Sequence, residues 1–134
     1  MTRHEQRYKA MTILYQAFLY KSNNINYDID EIINEQMEEK SKFVENLVNG
    51  VINNIDTLDE VANKYLENWN ISRLGFTDQA ILRMGIYEIM NMDTPDVTCI
   101  DEAIELSKEY SDDKVCKMIN GVLDKVYHSS KNNE

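Results

Sequence analysis

Residues 77–91 constrain this chain more than any other stretch. Ala80, Ile81, Leu82, Met84, Ile86, Tyr87, Ile89 and Met90 follow one another so densely that a helix built from them keeps almost no polar face. A helix that is apolar nearly all round avoids water only at the centre of a bundle. The rest of the chain must therefore supply helices to enclose it, and the periodicity provides them. Met11, Leu14, Tyr15, Phe18 and Leu19 recur at i, i+3, i+4, i+7 and i+8, the spacing of one buried stripe. Val44, Leu47, Val48 and Val51 repeat that spacing. So do Leu58, Val61, Ala62, Tyr65, Leu66 and Trp69, and finally Val115, Met118, Ile119, Val122, Leu123 and Val126. No stretch alternates at the period of a strand. One Pro and four Gly in 134 residues leave too few turns for a β-rich fold.

The breaks between helices are legible from the residues that satisfy free backbone groups at helix ends. Ser22-Asn23-Asn24 closes the first helix, and Asp28 caps a second that extends to about Lys40. Ser41 caps the third, and Thr57 with Glu60 has the form of a capping box for the fourth. Gly75 lies in a short connection, with Thr77 as cap of the central helix. Asp93-Thr94-Pro95-Asp96 is the strongest stop in the chain, after which a helix resumes near Thr98 or Ile100. The expected fold is all-α, six or seven helices in two small packed bundles. The first bundle covers about residues 1–55 and the second 56–128, with a frayed tail at 129–134.

Charge narrows the function. The net charge is −10, which excludes a protein that coats nucleic acid over its whole surface. Residues 1–21, however, carry Arg3, Arg7, Lys9 and Lys21 against Glu5 alone, and residues 111–134 balance to zero, leaving the middle at −13. Any anion-binding surface must be drawn from the two ends. The apolar runs are a few residues long, so no membrane span is expected. The first residues lack the apolar segment of a signal peptide. Cys99 and Cys116 read as reduced thiols of a cytoplasmic protein, not as a disulfide framework or a zinc site.

Catalytic signatures are missing. His4 and His128 have no metal-spaced partner, and there is no glycine-rich phosphate loop or nucleophile elbow. No cofactor, metal or enzymatic activity is expected. Two basic clusters remain. Arg3 and Arg7 lie one turn apart on one helix face. Lys114, Lys117, Gly121 and Lys125 share one stripe of the last helix. Gly121 opens a gap in that ridge, either for a neighbouring backbone or for close helix packing.

Taken in order, the motifs resemble those of the NusB transcription antitermination family. Arg7-Tyr8-Lys9-Ala10-Met11-Thr12-Ile13-Leu14-Tyr15 matches the family's R-x-x-A-x-x-x-L-Y opening. Tyr65-Leu66-Glu67-Asn68-Trp69 with Arg73-Leu74 follows, then Asp78-Gln79-Ala80-Ile81-Leu82-Arg83-Met84-Gly85-Ile86-Tyr87-Glu88-Ile89. Ile100-Asp101-Glu102-Ala103-Ile104-Glu105-Leu106 and the closing Met118-Ile119-Asn120-Gly121-Val122-Leu123-Asp124 complete the series. The likeness is weakest from Ser22 to Lys40.

The resemblance implies a non-enzymatic helical protein that binds boxA-type single-stranded RNA together with NusE, a small-subunit ribosomal protein. It implies indirect contact with other Nus factors and RNA polymerase, and a role in ribosomal RNA transcription. By position, Arg3, His4, Arg7, Tyr15, Lys114, Lys117 and Met118 fall on the RNA face, and Tyr15 and Asp78 near the NusE face. Two departures stand out: the arginine run before Ala10 is thin, and Met118 replaces the usual Phe. The other reading is a helical protein–protein adaptor with little RNA binding of its own.

Overall fold

The computed structural model describes residues 1–132, with side chains through residue 130. Seven α-helices run through them: α1 (Arg3–Ser22), α2 (Ile29–Gln36), α3 (Lys42–Asn53), α4 (Ile55–Tyr65), α5 (Phe76–Asn91), α6 (Asp96–Tyr110) and α7 (Asp113–Asn132). A single 3-10 turn, Ile71–Arg73, links α4 to α5. The described residues contain no strand. As its composition requires, α5 is central and packs against α1, α3, α4, α6 and α7. Its Ile81, Leu82 and Ile86 are fully buried, each worth about 1.5–3 kcal/mol relative to exposure. Two glycines allow close approach at this centre. A Cβ on Gly50 would sit 2.0 Å from the Tyr87 ring, and one on Gly85 would sit 2.9 Å from the Leu123 methyl groups.

Several expected boundaries hold. The Ser41 hydroxyl accepts the Val44 N–H at 3.1 Å, and the Asp28 carboxylate accepts the Asp30 N–H at 2.9 Å. Asn24 takes a left-handed conformation just after α1, with φ of 58°. Others move. α2 stops at Gln36, well before Lys40. α4 begins at Ile55, so Thr57 lies within its first turn and no capping box forms; Asn54 precedes the helix without a side-chain cap. α5 starts at Phe76, ahead of Thr77, and α6 starts at Asp96, directly after Pro95. α7 continues to Asn132, so residues 129–132 are helical where fraying was expected; 133 and 134 lie outside the described residues.

The most informative correction concerns the inward face of α1. Arg7, Ala10, Met11, Leu14, Ala17 and Phe18 point inward, whereas Tyr15 and Leu19 stand 42% and 37% exposed. Arg7 is 3% exposed and pairs with Glu88 of α5, itself 2% exposed. Nε donates to one carboxylate oxygen at 3.0 Å and Nη2 to the other at 2.8 Å. This forked pairing satisfies two charges that would each be costly to bury alone. A second forked pair joins α5 to α4: Arg83 donates to Asp59 at 2.6 and 2.9 Å while its guanidinium lies 4.6 Å from the centre of the Phe18 ring.

His4 ties the start of α1 to α6. Its Nδ1 is 3.0 Å from a Glu102 oxygen and its Nε2 is 3.8 Å from Glu109. The Glu102 hydrogen bond raises the His4 pKa above 6.5; desolvation, the next largest effect, opposes it, and the charges of Glu102, Glu109 and Glu105 add to the rise.

Two measurements check this picture. Glu88→Gln strands a buried guanidinium and should destabilise the fold by about 3–5 kcal/mol, whereas Arg7→Met with Glu88→Leu should recover most of that loss. Thermal unfolding of the single and double variants decides, and a double variant no more stable than the single contradicts the pairing. For His4, a raised folded pKa means that its contribution is fully present below pH 6.5 and fades as pH rises through the folded value. The native His4 midpoint, followed by NMR, should lie above 6.5 and fall toward that value in Glu102→Gln. A native midpoint at or below 6.5 removes the tie.

Candidate nucleic-acid interface

The basic residues divide according to whether a carboxylate holds them. On α7, Lys114 and Lys117 are exposed, lie one turn apart and form no ion pair among the described residues. Lys125, on the same stripe, is 3.1 Å from Glu67. Lys117 and Lys125 flank a shallow groove of about 250 Å³, whose floor includes Tyr65, Leu66, Met118 and Val122. Gly121 opens onto this groove. A Cβ there would meet nothing within 4 Å, so its role is not close helix packing within the fold. Met118 lies half-buried at the edge of the α7 stripe, packed on the core with part of its surface in the groove.

Trp69 stands beside this patch, on the connection after α4. The Arg73 guanidinium is 4.3 Å from its ring centre and the Lys114 ammonium 5.3 Å. Such contacts are worth about 0.5–1 kcal/mol at exposed sites. The Trp69 indole N–H is buried without an acceptor, the one such side-chain atom among the described residues. With no protein acceptor for its N–H, the ring is held by packing and by its two cations.

At the other end, the expected N-terminal cluster separates. Arg3 remains exposed, its guanidinium 4.4 Å from the Phe43 ring centre and donating to the Gln6 side-chain amide oxygen at 2.9 Å, with no carboxylate partner among the described residues. It borders a cleft of about 760 Å³ lined in part by Asn46, Asn49, Asn53 and Tyr87. Arg7 does not share this surface: its guanidinium is buried against Glu88, out of reach of a ligand. His4 is occupied by Glu102 and Glu109. The structure thus brings Lys114, Lys117 and Met118 together on α7, and leaves Arg3 against α3 and His4 against α6.

Tyr15 is exposed on α1 and meets Phe76 edge-on at 6.3 Å. The Asp78 carboxylate accepts a hydrogen bond from the Ser111 hydroxyl, joining α5 to the end of α6. An exposed pair not anticipated from the sequence, Tyr8 on α1 and Tyr110 on α6, stacks with ring centres 5.5 Å apart. Arg73 and Trp69 were also missed as site residues. Their cue was a lone aromatic followed four residues later by arginine, which the intervening non-helical connection hid.

Burial pushes the Cys99 thiol up to about 12, far from the thiolate a nucleophile needs. The Cys116 sulfur is 2.9 Å from the Ser107 hydroxyl. Among the described residues, no three His, Cys, Asp or Glu side chains are grouped to hold a metal, and no helix is long and apolar enough to cross a membrane.

Comparison with known proteins agrees with this fold. Residues 4–128 match the NusB family. The transcription antitermination protein NusB of Campylobacter jejuni strain RM1221 is 41% identical over 132 residues, covering 97% of this chain and 98% of its own. That of Staphylococcus aureus strain JH9 is 41% identical over 127 residues, covering 94% and 98%. The solved structure of T. maritima NusB superposes with a TM-score of 0.82 at 27% identity, covering 100% of this chain and 99% of that one. A chain from the crystal structure of antitermination factors NusB and NusE in complex with dsRNA superposes at 0.75 with 24% identity, covering 96% and 99%, a likeness of fold. With the family match spanning nearly its whole length and relatives of this identity, the chain belongs to the NusB family.

Proposed function

We propose that this chain is a transcription antitermination factor that binds boxA-type single-stranded RNA jointly with NusE, supporting transcription of ribosomal RNA. It acts by binding and not by catalysis, in the cytoplasm, and reaches RNA polymerase through NusE and other Nus factors. The observation that carries the reading is the pair of uncompensated lysines, Lys114 and Lys117, beside the Met118 groove on a chain of net charge −10. Unpaired cations next to an open, partly apolar groove are the combination that single-stranded RNA requires, with phosphate contacts alongside a surface for bases. Arg3 adds a contact at the other end. Tyr15, Asp78 and the exposed Tyr8–Tyr110 stack offer aromatic and acidic groups to a protein partner.

The adaptor reading gains from one finding. With Arg7 buried and His4 held by carboxylates, the N-terminal segment offers fewer free cations than its sequence promised. Titrating boxA and scrambled RNA with the chain, with and without NusE, separates the two. Joint binding selective for boxA supports the antitermination reading; binding of NusE without any RNA affinity supports the adaptor.

Three outcomes refine the RNA face. Each phosphate contact contributes about 0.7 to the slope of log affinity against log salt, so Lys114→Ala with Lys117→Ala should flatten it by roughly 1.4. Arg7→Ala should instead lower Tm; a flattened slope with unchanged Tm would return Arg7 to the RNA. Met118→Phe should raise boxA affinity by a fraction of the roughly 1–3 kcal/mol that an aromatic platform provides per base. Tm should hold because the site is only half-buried. A Tm loss with unchanged affinity assigns Met118 to the core.

A further inference from the structure

Trp69 is the sole tryptophan of the chain, and two cations from different elements share its ring. Arg73 comes from the 3-10 turn after α4 and Lys114 from the first turn of α7. The fold therefore gathers what the sequence keeps 41 positions apart. Both charges lie within 6 Å of one ring centre, and neither forms an ion pair among the described residues. On a chain with 24 acidic residues, these two cations face one indole ring and not a carboxylate. Of the acids close in sequence, Glu67 holds Lys125 and the Asp112 carboxylate accepts the Val115 N–H at 2.8 Å, while Asp113, next to Lys114, forms no ion pair among the described residues. The two like charges repel, and the indole face offsets part of that repulsion without neutralising it.

We infer that Arg73 and Lys114, held on Trp69, form a phosphate clamp for single-stranded RNA that continues through Lys117 into the groove at Met118. This rests on the RNA-binding reading above and adds Arg73 and Trp69 to it. The ligand class follows from the donors. A guanidinium fork offers two parallel N–H groups to phosphate oxygens, and an ammonium adds a point charge beside it. Lys114 and Lys117 are one turn apart on α7, so the clamp and the groove form one track along which consecutive phosphates meet cations. Trp69 acts as a positioning residue: it sets where both charges stand, and any ligand that draws them from the ring changes its surroundings.

The test uses the full chain, alone and with NusE, and a single-stranded boxA oligonucleotide beside a scrambled one at several salt concentrations. Binding is followed by anisotropy of labelled RNA and, for the chain alone, by Trp69 emission. RNA should change that emission saturably. Arg73→Gln and Lys114→Gln should each flatten the salt slope by about 0.7 on both RNAs, since phosphate contacts do not read sequence. Arg73→Lys should restore the slope, because it keeps the charge. If Arg73→Gln lowers Tm enough to unfold the chain, Lys114→Gln decides, its side chain being exposed on α7. Normal wild-type binding with an unchanged slope in both variants overturns the clamp and leaves the RNA reading standing. Failure of the wild-type chain to bind either RNA, with or without NusE, overturns both.

Discussion

The buried pair of Arg7 and Glu88 is the constraint from which the arrangement of the remaining side chains follows. A carboxylate inside a helix that is apolar nearly all round has no water to solvate it, and in isolation it would be strongly destabilising. Glu88 therefore needs a cation, and α1 brings one into the interior. Because the pairing is forked, it fixes the rotation of α1 about its own axis as well as its distance from α5. With Arg7 inward, Ala10, Met11, Leu14, Ala17 and Phe18 must also face inward, since they share its stripe. Tyr8, Tyr15 and Leu19 are then turned outward. A single ion pair so decides which residues of α1 are core and which are surface.

The same logic sorts the other cations. Arg83 is buried against Asp59 and out of reach of a ligand, while Lys125 at the surface already has Glu67 at 3.1 Å. Arg3, Arg73, Lys114 and Lys117 have aromatic or solvent neighbours in place of a carboxylate. A count of basic residues along the sequence gives each of these equal weight. The folded chain does not, because a charge satisfied by a carboxylate at about 3 Å gains little from a phosphate. The surface available to an anion is therefore smaller and differently placed than the charge distribution along the chain suggests.

How far the sequence discloses this depends on the physical range of each effect. Helix periodicity and the all-round apolarity of α5 are local patterns, and they carried the fold, as did the caps at Ser41 and Asp28. Boundaries failed where tertiary packing outweighed local chemistry, as at Thr57, which has a capping sequence but sits inside α4 because the helix continues back to Ile55. Arg7 was legible in principle, since it stands on the same stripe as Ala10, Met11 and Leu14, and Glu88 is a carboxylate in an otherwise apolar helix. Taken together, those two positions announce a buried pair. The grouping of Arg73, Trp69 and Lys114 was not legible, because it depends on where α7 lies against the end of α4. The motifs identified the family while leaving the roles of individual residues to the geometry.

The acidity of the chain has consequences for selectivity. Phosphate contacts hold RNA without reading it, so a uniformly basic protein binds every RNA it meets. On this chain the acidic middle opposes nucleic acid over about 8 Å of solution at physiological salt. On the proposed reading, a strand seated on α7 finds Arg73, Lys114 and Lys117 together to outweigh that repulsion, and there its bases meet the Met118 groove. Weak non-specific binding matters as much as tight specific binding, because the quantity that selects a site is their ratio. A basic partner docked on the acidic surface removes repulsion where it docks, and so raises affinity even without adding a contact from this chain. Partner dependence and selectivity then have one origin, the excess of 24 acidic residues over 14 basic ones.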